Sequence, residues 1–255
     1  AHRPPDLPAL PALPALPART ALLPLLALTA LLALPTLLAL SALSPRAALA
    51  ADPAPSKADA DLVDAALKQM HASYKGVTAV RARFTQTSTG MSFPQPLVQS
   101  GALLLEAPGR MRWDFETPRK QAYVSDGSTL WMLDDADRTA TVFKTVDGML
   151  KRFYGFLTGS IDLRADFKVA LADDGPGPVP GARALALTPR APDGSIDSLR
   201  IYLDASTGRV VAIAMLTPFG DRTETVLAEV STPADLPDSE FVYTPREGWR
   251  TIRGD

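Results

Sequence analysis

The sequence contains no cysteine, no asparagine and only two histidines. The absence of cysteine excludes disulfides, thiolate metal sites, thiol nucleophiles and lipid modification of an N-terminal cysteine. His71 is the one histidine after residue 50, and we interpret it as a solvated helix residue because no motif offers it a nucleophile to activate. Motifs for a serine nucleophile elbow, a phosphate-binding loop or paired metal-binding histidines are also missing. We therefore expect no enzyme, no cofactor and no bound metal.

Aromatic residues are missing from residues 1–50, which hold nine of the 24 prolines. No residue from Thr20 to Pro45 is charged, and Ala48–Leu49–Ala50 is a small-x-small cleavage site before Ala51. We interpret residues 1–50 as a signal peptide with a low-complexity start, which implies export. An uncleaved membrane anchor is the alternative, because the apolar run approaches membrane-spanning length. Residues 51–58 are a predicted linker and residues 59–255 a predicted single domain.

Short strands dominate the remainder of the chain. Met111, Trp113 and Phe115 alternate with charged residues, which is typical of a half-buried strand. Strands are expected near 78–88, 98–106, 111–116, 120–125, 129–134, 139–145, 165–172, 183–189, 196–204, 209–217, 222–231 and 240–243. Asp59 or Asp61 is expected to cap a first helix, and residues 149–160 are expected to form a second helical segment. The pattern predicts a mainly β (α+β) fold, an incomplete antiparallel barrel of about eleven strands lidded by two or three helices.

Five segments, taken in order, carry a resemblance to a known family. They are VRARFTQ at 80–86, GALLLEAPGRMRWDFETP at 101–118, VSDGSTLWMLD at 124–134, LTPRAPDGSIDSLRIYLD at 187–204 and FVYTPREG at 241–248. In this order they resemble the periplasmic outer-membrane lipoprotein carrier proteins (LolA). The resemblance covers roughly residues 60–248.

The resemblance implies a function as well as a fold. It implies a soluble, monomeric periplasmic carrier that holds the acyl chains of lipoproteins in an apolar half-barrel on their way from the inner to the outer membrane. Its implied partners are an inner-membrane ABC-type lipoprotein release complex, which loads the carrier, and an outer-membrane lipoprotein acceptor. Nucleic acid is not expected as a partner, because residues 51–255 hold 23 basic and 27 acidic residues, a net charge of −4. The alternatives are a lipid-sensing regulatory protein similar to the stress-response protein RseB, and a carrier of another amphiphile.

Three sets of site residues follow from the resemblance. The expected walls of the acyl-binding cavity are Val80, Phe84, Leu103, Leu105, Met111, Trp113, Phe115, Trp131 and Leu133, with the two tryptophans sharing one wall. The expected lid contacts are Leu62, Ala66, Met70, Met149, Phe153 and Phe156. Strand alternation leaves open whether Leu104 replaces Leu103 and Leu105, and whether Leu130 and Met132 replace Trp131 and Leu133. The family usually carries an arginine latch where this chain has Ala107, so the latch is absent or moved, with Arg110 as a candidate.

Overall fold

The computed structural model describes residues 56–144, 155, 161–172, 175, 177–191, 194 and 196–254. Its first half contains helix α1 (Lys57–Ser73) and strands β1 (Ala79–Thr89), β2 (Leu97–Glu106), β3 (Arg110–Thr117), β4 (Gln121–Ser125), β5 (Thr129–Asp134) and β6 (Thr139–Lys144). Its second half contains the single turn α2 (Leu163–Asp166), strands β7 (Phe167–Leu171), β8 (Arg183–Pro189), β9 (Ser198–Leu203), β10 (Val210–Leu216) and β11 (Arg222–Ser231), a 3₁₀ turn (Asp238–Phe241) and strand β12 (Arg250–Arg253).

All twelve strands belong to one sheet, in the order β12-β6-β5-β4-β3-β2-β1-β11-β10-β9-β8-β7. Two antiparallel meanders, β1–β6 and β7–β11, are joined through the antiparallel pair of β1 with β11. Strand β12 adds to the edge of β6 in parallel. The sheet does not close, because β12 and β7 remain its two edges. The predicted mainly β fold with an incomplete antiparallel barrel is therefore confirmed, with twelve strands in the described part of the chain where about eleven were expected.

Helix α1 begins earlier than predicted. Ser56 is its N-cap: the Ser56 hydroxyl oxygen accepts a hydrogen bond from the Asp59 backbone N–H at 3.1 Å and donates one to the Asp59 carboxylate at 2.8 Å. The prediction of Asp59 or Asp61 as the cap is wrong, because Ser56 reaches the free backbone donor of the first turn. The last two positions of the predicted 51–58 linker, Lys57 and Ala58, consequently belong to the helix.

The predicted strand at 240–243 is also wrong. Residues Asp238–Phe241 form the 3₁₀ turn, and the last strand is Arg250–Arg253. Phe241 gave this segment the apolar character of a strand. In the structure Phe241 is instead buried from the 3₁₀ turn, 1% exposed, against Ala79, Leu104 and Leu236. The predicted leader 1–50 and, apart from Gly155, the second helical segment with Met149, Phe153 and Phe156 lie outside the described residues.

The main core lies on the face of the sheet that α1 covers, which we call the helix face. Here Val63, Ala66, Leu67 and Met70 of α1, with Tyr74 at its C-terminal cap, join one cluster with the inward side chains of the strands. These strand residues are Val80, Phe84, Leu103, Leu105, Met111, Phe115, Tyr123, Leu130, Leu185, Leu187, Leu199, Ile201, Leu203, Val210 and Met215. The helix face is thus apolar in both meanders.

The opposite face of β2–β6 is covered by the C-terminal segment, residues 236–249. Leu236 and Phe241 pack on Ala79 and Leu104. Farther along, Tyr243 and Trp249 pack against a cluster on β4–β6 formed by Ala122, Val124, Leu133 and Ala140. Both faces of this half of the sheet are therefore covered by apolar contacts.

Candidate functional site

Four aromatic rings on the helix face of β1, β3 and β4 form a continuous cluster. The Phe84 ring meets Trp113 edge-on at 5.4 Å between centroids and Phe115 at 5.1 Å. Trp113 and Phe115, two positions apart on β3, stack at 5.8 Å. Tyr123 meets Phe115 edge-on at 6.0 Å. These are favourable geometries for aromatic pairs, so the cluster is a rigid apolar platform.

Gly101 makes the closest of these contacts possible. It pairs with Phe84 on one side and with Phe115 on the other. A Cβ at this position would lie 3.0 Å from Cε1 of Phe84 and 1.8 Å from the carbonyl oxygen of Asp114. A glycine between two aromatic residues therefore lets the rings meet above the strand that separates them.

The structure brings most of the predicted cavity residues together. Val80, Phe84, Leu103, Leu105, Met111, Phe115 and Trp113 all lie in the helix-face cluster. Of the predicted lid residues, Ala66 and Met70 are fully buried there, whereas Leu62 is 48% exposed. For β2, the open choice between Leu103/Leu105 and Leu104 is settled, since Leu104 packs on the C-terminal segment. A role for these residues in acyl binding stays a prediction.

Trp131 and Leu133 do not join the other predicted cavity residues. Both pack in the cluster of the opposite face, where the Trp131 ring lies 4.9 Å from that of Tyr243. Leu130 and Met132 lie on the helix face instead, and Met132 pairs with Tyr123 across the strands. The prediction that Trp113 and Trp131 share one wall is wrong, because neighbouring residues of a strand point to opposite faces and Trp131 pairs with Val124.

Several residues of the helix face were not predicted. Besides Tyr123, the second meander contributes a further row, Leu185, Leu187, Leu199, Ile201, Leu203 and Val210, all at most 2% exposed. Alternation of apolar and other residues in β8 and β9 carried this signal, whereas all the predicted cavity residues lie in the first meander. The apolar face is therefore wider than expected.

A row of buried polar side chains borders the aromatic cluster at one end. Gln86 donates to Gln99 at 3.3 Å and accepts from Thr225 at 3.3 Å. Gln121 donates to Asp134 at 2.8 Å, and Arg119 donates to the same carboxylate. Burial raises the pKa of Asp134, but the hydrogen bonds from Arg119 and Gln121 outweigh burial and lower that pKa below its usual value. These polar groups satisfy one another, so they close this end of the apolar face.

The match to known proteins is consistent with this architecture. The family model of the outer membrane lipoprotein carrier protein LolA matches residues 75–244. An outer-membrane lipoprotein carrier protein of Methylibium petroleiphilum is 31% identical over 169 residues, which are 66% of this chain and 79% of that protein. This chain belongs to the LolA family.

Two further LolA relatives match over more of the chain. The outer-membrane lipoprotein carrier protein of Dechloromonas aromatica is 27% identical over 183 residues, 72% of this chain and 85% of that protein. The protein of the same name from Chromobacterium violaceum is 27% identical over 210 residues, 82% of this chain and 95% of that protein. The resemblance carried by the five motifs is thereby confirmed.

Neither Ala107 nor Arg110 supplies a latch to the helix in this LolA-family chain. Ala107 lies in the β2–β3 turn, where its N–H donates to the Thr78 carbonyl at 2.8 Å. Arg110 forms ion pairs with Glu106 and Asp238, and its guanidinium lies 5.0 Å from the centre of the Phe241 ring. The idea that Arg110 takes over the latch is wrong, because these contacts hold the C-terminal segment on the opposite face.

Helix α1 is instead held by the loop between β9 and β10. The Tyr74 hydroxyl accepts a hydrogen bond from the Val210 N–H at 3.2 Å. The Gln69 amide donates to the carbonyls of Ala205 and Ser206 at 3.2 and 3.1 Å. Gly208, at φ +75°, leaves room for the Gln69 backbone to approach. These contacts tie the C-terminal half of α1 to the second meander.

Two structural features bear on the chemistry and on the relation to membranes. Within the described ranges, no group of three or more histidine or acidic side chains is arranged to hold a metal ion. Among the helices in those ranges, none combines the length and the apolar composition that a membrane crossing requires.

Proposed function

We propose that this chain is a periplasmic carrier that binds the acyl chains of lipoproteins on its helix face and shuttles them between the two membranes. In this proposal an inner-membrane ABC-type release complex loads it and an outer-membrane acceptor unloads it. It acts by binding alone, without catalysis. Membership of the LolA family supports the proposal, and the continuous apolar helix face is the observation that carries it.

The physical task of such a carrier is to keep acyl chains away from water. Transfer of each methylene from water into an apolar site is worth about 0.8 kcal/mol, so a sixteen-carbon chain represents roughly 12 kcal/mol. Side chains of the helix face offer apolar contacts on every strand from β1 to β11. Methionines and aromatic rings suit chains of variable shape, because methionine repacks easily.

We place the acyl-binding surface on β3–β6. Trp113, Met132 and Phe143 pack against the core there but are only partly buried, so a ligand can reach them. The second meander is covered by α1, which Tyr74 and Gln69 hold to the β9–β10 loop. Cargo bound next to α1 therefore needs fewer contacts to be broken than cargo bound beneath it.

Tryptophan emission tests the proposal. Trp113 lies on the helix face, whereas Trp131 and Trp249 lie on the opposite face. Titration with a diacylated lipopeptide should change the emission of a variant that keeps Trp113 and carries phenylalanine at the other two positions. The complementary variant, Trp113→Phe, should respond weakly. A deacylated peptide that binds as tightly as the lipopeptide would show that polypeptide is recognised, and the carrier function would be refuted.

A matched pair of charge substitutions tests the location of the surface. Met132 is half-buried on the helix face, and Val142, which pairs with Trp131, is half-buried on the opposite face. Met132→Glu should weaken lipopeptide binding strongly, because an unpaired carboxylate would face the acyl chains. Val142→Glu should leave the affinity for the lipopeptide unchanged, although it should lower the free energy of unfolding about as much as Met132→Glu does. Equal losses of affinity in both variants would place the acyl chains elsewhere.

A further inference from the structure

The side chain of Tyr123 places a hydroxyl group inside the apolar helix face. Tyr123 is 1% exposed and lies on β4 between Trp113 and Met132, with which it pairs directly. Its ring packs edge-on against Phe115. Among the residues that the structure describes, no group forms a hydrogen bond with its hydroxyl oxygen. The hydroxyl is therefore a buried polar group without compensation.

Two other buried polar side chains on the same face, those of Tyr74 and Gln86, have hydrogen-bond partners. The Tyr74 hydroxyl accepts from the backbone of Val210, and Gln86 is bonded to Gln99. An unpaired buried hydroxyl lowers stability, whereas phenylalanine would fill the same space without that cost. The folded protein alone thus gives no reason for a tyrosine at position 123. A ligand that accepts a hydrogen bond from the hydroxyl would explain the tyrosine.

The hydroxyl is available as a donor at any physiological pH. Burial and, after it, the negative charge of Asp134 raise the pKa of Tyr123 well above its ordinary value. A neutral phenol keeps its proton and donates one hydrogen bond. Its neighbours Trp113 and Met132 are partly exposed, so a ligand that reaches them comes close to the hydroxyl.

We propose that the Tyr123 hydroxyl donates a hydrogen bond to the carbonyl oxygen of an ester-linked acyl chain bound on the helix face. This inference rests on the proposed function and specifies its ligand chemistry. The apolar surface then supplies affinity for any hydrocarbon chain, while Tyr123 favours ester-linked chains over chains whose linkage has no carbonyl oxygen. A net hydrogen bond of ordinary strength corresponds to an affinity difference of about three- to tenfold.

The test compares two lipopeptides that differ in one bond type. One carries two palmitoyl chains as esters, and the other carries two hexadecyl chains as ethers, which lack the carbonyl oxygen. The wild type should bind the ester about three- to tenfold more tightly than the ether. Tyr123→Phe should bind both with the affinity that the wild type has for the ether. Because the hydroxyl has no hydrogen-bond partner among the described residues, this variant should melt at the same temperature as the wild type or higher.

Tyr243→Phe is the matched control. Its hydroxyl is also buried without a hydrogen-bond partner among the described residues, but it lies on the opposite face with Trp131. This variant should keep the full ester preference. An ester preference that survives in Tyr123→Phe, or that the Tyr243→Phe variant also loses, would overturn the assignment.

The remaining outcomes separate this inference from the proposed function. Equal binding of ester and ether by the wild type would refute the hydrogen bond and leave the carrier function standing. Failure of the wild type to bind either lipopeptide would refute both. Dihexanoyl phosphatidylcholine presents the same esters without a peptide. If it binds in a manner that depends on Tyr123, the hydrogen bond is supported and its source is diacyl lipid in general.

Discussion

Substitution of Gly208 by alanine tests how closely α1 is seated on the β9–β10 loop. A Cβ at this position would lie 2.7 Å from Cγ of Gln69 and 2.9 Å from its carbonyl carbon and oxygen. Two of these three atoms belong to the helix backbone, so a side-chain rotation does not remove the overlap. The left-handed conformation of Gly208, at φ +75°, adds a cost of about 1–2 kcal/mol for alanine. The overlap adds about 1–3 kcal/mol.

Gly76 and Gly181 provide the reference for the backbone cost. Their φ values are +75° and +77°, and a Cβ at either position would meet nothing within 4 Å. Alanine at these two positions should therefore lower the free energy of unfolding only by the cost of holding alanine in the left-handed backbone conformation. Urea denaturation of the three variants should place Gly208→Ala below the other two by about 1–3 kcal/mol at an unchanged m-value.

The same variant bears on the location of the acyl-binding surface. If cargo binds on β3–β6 next to α1, the folded Gly208→Ala protein should bind a lipopeptide with wild-type affinity. A stability loss equal to that of Gly76→Ala would refute the close seating of α1. A large change in affinity would refute the view that cargo binds beside the helix.

Three further predictions concern packing, pH and the C-terminal segment. Met70→Ala should destabilise the protein by about 2–5 kcal/mol in urea melts, because Met70 is fully buried, whereas Leu62→Ala, at a half-exposed position, should cost well under half of that. Hydrogen bonds from Ser206 and Thr207 lower the pKa of Asp204 to about 2. The stabilising effect of the Asp204 carboxylate should therefore be complete above about pH 4 and disappear as the pH falls through about 2. The melting temperatures of wild type and Asp204→Ala should accordingly converge between pH 5 and 2, and a constant difference would contradict the assignment. Arg110→Ala should accelerate proteolysis of the C-terminal segment, because the ion pair with Asp238 and the contact with the Phe241 ring are lost. An unchanged cleavage pattern would show that this segment is held by its apolar contacts alone.

Most of the secondary structure could be predicted from local patterns. Strand β5 begins and ends where expected, at Thr129 and Asp134, and β8 and β11 also match their predicted bounds. Alternation of side chains and turn residues are local properties, so they are visible in one sequence. The same holds for the residues on strands with one charged face: Met111, Trp113 and Phe115 alternate with charged side chains and therefore had to face the core.

Where both faces of a strand are apolar, the sequence does not identify the inward face. In β5, Leu130 and Met132 form one apolar set and Trp131 and Leu133 another, because the C-terminal segment covers the second set with Tyr243. A strand buried on two sides loses the alternation that would reveal its orientation. Tertiary structure alone therefore decided that Trp131 leaves the predicted site and that Met132 enters it.

The long-range arrangement also required the tertiary structure. Phe84 of β1 pairs with Leu227 of β11, and β12 returns to pair with β6 in parallel. Such pairings depend on how the whole chain closes on itself, since no local pattern relates segments that far apart in sequence. The composition and motifs of this chain determined a β-rich carrier-like fold with an apolar face. Strand register and the segments that pack on each side of the sheet decided which side chains form that face. They also decided that the hydroxyl of Tyr123 lies within it, without a hydrogen-bond partner among the described residues.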